Sequence, residues 1–73
     1  MLRELRTLTD TNIGETLKEL RQFRGLTIRE LSARTKLSES VISKYERGKR
    51  VPTLSSFVAL IRALDAELFF AKK

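Results

Sequence analysis

Apolar positions along this chain recur at helical spacing. Ile13, Leu17 and Leu20 stand four and three residues apart, and Ile28 with Leu31 repeats the shorter step. Val41, Ile42 and Tyr45 make a third run, and Leu54, Phe57, Val58, Ile61 and Leu64 a fourth. Start and stop residues frame each run. Asn12 precedes Glu15 by three positions, as Thr27 precedes Glu30, and both pairs have the form of a capping box. Gly25 stands where the first helix would end in a left-handed residue. The second run, with small Ser32 and Ala33 behind Leu31, spans about two turns and gives way near Thr35, Lys36 and Leu37. Ser38 can cap the third helix, which runs to Gly48, and Pro52 and Thr53 introduce the fourth. The pattern predicts an all-α, compact bundle of four to five short helices joined by tight turns.

The third run divides its residues sharply. At about 100° per residue, Val41, Ile42 and Tyr45 share one sector of the helical wheel. Ser40, Lys44 and Arg47 fall in a narrow sector opposite, with Ser43 beside them. One face is core. The other carries small hydroxyls and long cations, a surface narrow enough for the major groove of DNA, which admits one helix. Short serines let the backbone approach while Lys and Arg reach bases or phosphates. Glu46 lies beside Ile42, at the edge of the core.

Charge sharpens this picture. The 73 residues carry a net charge of +6. Between Lys18 and Arg50 there are ten Lys or Arg against four acids, which is the whole excess. A basic middle between neutral ends is an electrostatic footprint for a polyanion. Length implies a single domain with a small core, so self-association is expected to add stability. The chain has no Cys and no His, which excludes disulfides and the usual zinc sites. There is also no Gly-rich phosphate loop, so neither an enzyme nor a cofactor is expected. The opening MLRELRTLTD is too charged for a signal peptide, and no apolar run reaches membrane-spanning length. The expectation is a cytoplasmic protein that does not engage membranes.

A short helix, a tight turn and a Ser-capped helix in that order form the sequence signature of a helix-turn-helix. Residues 12–64, and above all the Arg21-x-x-x-Gly25-Leu26-Thr27 join, Glu30-Leu31-Ser32-Ala33 and Ile42-Ser43-x-x-Glu46-x-Gly48, resemble the lambda-repressor-like Cro/cI family. The resemblance implies a reading helix whose base-facing positions are Glu39, Ser40, Ser43 and Lys44. It implies phosphate contacts at Thr27, Ser38, Arg47, Lys49 and Arg50, with Arg24, Arg29 and Lys36 as further candidates. It also implies a structural ion pair between Arg21 and Glu46. Ile28 departs from the family by replacing a polar residue, and Lys36 by standing where the turn often has Gly.

The ends are read separately, as an extension over 1–11 and a tail over 65–73. Asp65 tolerates a left-handed cap better than most residues. Leu68, Phe69 and Phe70 have strand propensity, with Leu68 and Phe70 on one face. A strand needs a partner, either the N-terminal LRELRTL or the same segment of a second chain. The second is favoured, giving a homodimer joined by a β-ribbon. Two-fold symmetry of such a dimer implies an inverted-repeat site in double-stranded DNA, and the tail's resemblance to HipB-like antitoxins implies a HipA-type kinase toxin as second partner. The competing reading is a protein-interaction module of the same fold without specific DNA binding. Phe23, at the margin of the first apolar stripe, is expected to complete the core, with a partner surface as the alternative.

Overall fold

A computed structural model describes residues 8, 9 and 11–67. Among these are four helices, α1 (Ile13–Phe23), α2 (Ile28–Thr35), α3 (Glu39–Glu46) and α4 (Leu54–Ala63). Their inward faces meet in one core of Leu17, Leu31, Ile42, Tyr45, Phe57, Leu60, Ile61 and Leu64, all buried. α4 and its C-cap provide half of that set at spacings of three, one and three; α4 packs chiefly against α2, and α3 packs against both α1 and α2. Each such side chain contributes about 1.5–3 kcal/mol by leaving water.

Local chemistry sets most of the helix limits. At α2 the Thr27 hydroxyl accepts from the Glu30 N–H (3.0 Å), while the Glu30 carboxylate accepts from the Thr27 N–H (2.9 Å). Ser38 accepts from Val41 N–H at the start of α3, and Thr53 from Ser56 N–H at the start of α4. α1 and α3 stop at Gly25 and Gly48, both at positive φ. The Leu26 N–H then reaches back to Arg21 C=O, and the Lys49 N–H to Lys44 C=O, which closes each helix end. Asp65, at φ 54°, does the same for α4 without a glycine. Lys36 also lies in the left-handed region, at φ 63°, and costs the turn between α2 and α3 some strain. Side chains hold that turn: the Ser32 hydroxyl donates to Leu37 C=O, and the Leu37 N–H donates to the Thr35 hydroxyl.

Three expectations are corrected. Asn12 and Glu15 form no capping box, because Asn12 has nearly helical backbone angles (φ −114°, ψ −4°) that point its side chain away from the first turn. Instead the Asn12 amide oxygen accepts from Thr9 N–H, and the Thr9 hydroxyl accepts from Asn12 N–H. Leu54 has the right angle for α4's stripe but is 73% exposed, since α4's first turn overhangs the end of the core. Phe23 does not complete the core; as the last residue of α1 it is 73% exposed too. The proposed strand of Leu68, Phe69 and Phe70 lies outside the described residues, as do residues 1–7.

Candidate nucleic-acid interface

α3 is held on two sides. Ile42 and Tyr45 anchor it to the core, and Val41 is half-buried beside them. On its flank the Arg21 guanidinium grips Glu46 with two hydrogen bonds, Nε to Oε2 at 2.7 Å and Nη2 to Oε1 at 2.9 Å. Its remaining nitrogen donates to Leu26 C=O at 2.8 Å. The pair is largely shielded, with Glu46's side chain 4% exposed. Glu46's hydrogen bonds and charge raise the Arg21 pKa further above its ordinary value. Three polar directions of one Arg therefore tie α1 to α3 and to the start of α2.

Backbone contact tightens the same joint. Gly14, in the first turn of α1, is buried against the Tyr45 carbonyl group at the end of α3. A methyl group there would overlap the carbonyl oxygen and stand 3.1 Å from its carbon. A Gly inside a helical pattern costs about 1 kcal/mol against Ala, and the apolar pattern alone did not expose its role. Arg21 and Gly14 together fix the rotation of α3 about its axis.

That rotation decides what faces solvent. Ser40, Lys44 and Arg47 are exposed, with Glu39 at the N-terminal end and Ser43 half-buried between them. Lys44 is exposed, and the Arg47 Nε donates back to Ser43 C=O at 3.3 Å. Lys49 and Arg50 continue the cationic row into the loop before α4. Thr27 and Ser38 are exposed helix caps whose hydroxyls are already engaged with Glu30 and Val41 amides. Arg29 and Lys36 are exposed. Arg24 departs from its expected role. Its Nε donates to Leu64 C=O (2.9 Å) and its Nη2 to Asp65 C=O (2.8 Å), so it caps the end of α4. Those partners lie 40 and 41 residues away, which no local pattern reveals. No helix among the described residues is long and apolar enough to cross a membrane.

The sequence profile of a helix-turn-helix domain matches residues 12–68, most of the chain. The chain belongs to the Cro/cI-like helix-turn-helix family. Within this family it is 44% identical over 62 residues to y4dL, an uncharacterized HTH-type transcriptional regulator of Sinorhizobium fredii. That alignment covers 85% of this chain but 32% of y4dL, so the chain spans about a third of its relative. The restriction-modification controller protein C.AhdI of Aeromonas hydrophila shares its fold with TM-score 0.76 and 34% identity, over 80% of this chain and 88% of that one. A chain of the HipA–HipB–O2–O3 complex superposes with TM-score 0.81 over 94% of this chain and 97% of its own. At 22% identity that likeness speaks for the fold. In helix-turn-helix terms α2 is the supporting helix and α3 the second helix of the motif, the one that carries the Ser40, Lys44 and Arg47 row.

Proposed function

We propose that this chain is a sequence-specific DNA-binding transcriptional repressor that acts as a homodimer. The observation that carries the proposal is the two-sidedness of α3: Ile42 and Tyr45 buried, Ser40, Lys44 and Arg47 exposed along the opposite face. In this reading α3 lies in the major groove. Lys44 donates to guanine O6 or N7, Ser40 bonds to a base edge, and Ser43 leaves room for close approach. Glu39 accepts from cytosine N4 and disfavours sites that lack it. Arg47, Lys49 and Arg50 meet phosphates, and the exposed N-terminal turns of α2 and α3, at Thr27 and Ser38, offer backbone N–H groups to phosphate oxygens. Arg29 and Lys36 extend the basic surface at its rim.

A dimer presents two α3 helices to half-sites about 34 Å apart on an inverted repeat. The 68–70 segment supplies the ribbon that joins the copies. The fold likeness to the HipA–HipB complex and the character of this tail support a HipB-like antitoxin role, with a HipA-type kinase toxin as second partner.

The test is a titration of random-sequence duplex over a range of salt concentrations. Three cations on phosphates predict a log–log slope of about −3 per domain. A flat response would reject DNA binding and leave the protein-interaction module as the reading. Footprinting on the DNA around the protein's own gene then reports whether protection spans two half-sites.

A further inference from the structure

With no capping box at α1, Glu15 is left without a structural role. It is exposed in the first turn of α1, and among the described residues its carboxylate makes no capping bond and no ion pair. A cleft of about 220 Å³ opens between the start of α1 and the loop that follows α3. Thr11, Gly14, Glu15, Arg47, Arg50 and Val51 are on its walls. The other acid that lines it, Glu46, is already held by Arg21. Arg47 donates from one nitrogen to Ser43 C=O, and both arginines are exposed. The cleft therefore has two cations on its α3 side and one unpaired carboxylate on its α1 side. A sphere of that volume is about 7–8 Å across, which is inside the Debye length of about 10 Å at 0.1 M salt.

We propose that Glu15 stands at the edge of the DNA interface, where its carboxylate repels the phosphate backbone and lowers affinity for duplex of any sequence. The inference rests on the DNA-binding reading and adds the start of α1 to the elements that meet the backbone. Arg47 and Arg50 draw a phosphate to one wall of the cleft, and the carboxylate on the other wall opposes it across the same gap. Two unit charges about 8 Å apart in a water-like medium change an equilibrium constant by about two- to three-fold. Because the partner is a phosphate, the effect is the same for every base sequence. That separates Glu15 from Glu39, whose proposed partner is one kind of base. The same carboxylate favours the fold, since negative charge in the first turn of a helix is stabilising. Glu15 thus weakens the part of binding that any duplex can supply, and the base contacts of Ser40 and Lys44 carry a larger share of what remains.

The experiment titrates random-sequence duplex with the parent chain and with Glu15→Gln, Glu15→Lys and Glu67→Gln, at low salt and then over a salt series, well below Tm. Glu67→Gln makes the same one-unit change in net charge as Glu15→Gln. It does so past the far end of α4, whose ten residues put about 15 Å of helix between it and the loop, beyond a Debye length. Glu15→Gln should bind about two- to three-fold tighter and Glu15→Lys about five- to ten-fold tighter, with Glu67→Gln unchanged. The new lysine should also steepen the log–log salt slope by about one. Both Glu15 variants lose a favourable charge at the start of α1, so a gain in stability is not the source of tighter binding. Parent-like affinity in Glu15→Gln, an equal gain in Glu67→Gln, or a parent-like salt slope in Glu15→Lys would each overturn the inference and leave the DNA reading in place. A parent chain that binds no duplex would overturn both.

Discussion

Replacing Gly14 by Ala sets two known effects against each other. Ala is the better helix former, and in a helix interior the exchange gains up to about 1 kcal/mol, less in a first turn. Against this, the new methyl group meets the Tyr45 carbonyl, a backbone group of the facing helix that cannot rotate aside. Overpacking of a tight contact costs about 1–3 kcal/mol, and a backbone partner belongs at the upper end. The expected net loss is about 1–2 kcal/mol. For a domain of this size each kcal/mol shifts Tm by about 4–8 °C, so a fall of about 5–15 °C is predicted. Urea and thermal melts on the same samples measure it, and an unchanged m-value shows that unfolding exposes the same surface in both proteins. Because α1 and α3 must move apart, duplex affinity measured well below Tm should fall as well. An Ala variant that melts at or above the parent temperature would refute the packing argument.

Four further outcomes follow from the same geometry. Arg21→Ala leaves the Glu46 carboxylate shielded and unpaired, and a loss of about 3 kcal/mol is expected in urea melts; replacing both, Arg21→Met with Glu46→Leu, should recover most of it. Lys36→Gly relieves a left-handed Lys but loosens the unfolded chain, so a net gain of up to about 1 kcal/mol is expected, and a lower Tm would mean the Lys side chain contributes to the turn. Thr27's backbone N–H, and then its hydroxyl, hold the Glu30 carboxyl below its ordinary value. That stability is present above the unfolded pKa and is lost as pH falls through the folded one, so Glu30→Gln should flatten the acid limb of a Tm-against-pH curve; an unchanged limb contradicts the capping bond. Lys44→Ala should weaken duplex binding and blur preference at one base pair, whereas equal losses on every sequence would assign Lys44 to a phosphate.

What could be read in the sequence was what is decided locally. Thr27 with Glu30, Ser38, Thr53, Gly25 and Gly48 each settle a helix end through atoms a few residues away, and amphipathy alone assigns Ile42 inward and Lys44 outward. Asn12 misled because its cap depends on the Thr9 turn before it, which the helical pattern does not cover. Leu54 and Phe23 misled because an angle on a wheel says which way a side chain points, without saying whether anything stands opposite. Arg24 looked like one more surface cation until its partners across the fold were in place. Gly14 shows the same limit, since a missing Cβ means something only once the facing backbone is known.

The direct test of α3 as the element that meets DNA is chemical-shift mapping of the labelled protein against a duplex at low salt. Amide shifts should concentrate between Ser38 and Arg50 and at Thr27, with Ser40 and Lys44 among the largest. Duplex binding that leaves Ser40 and Lys44 unmoved while perturbing the exposed faces of α1 or α4 would contradict the account.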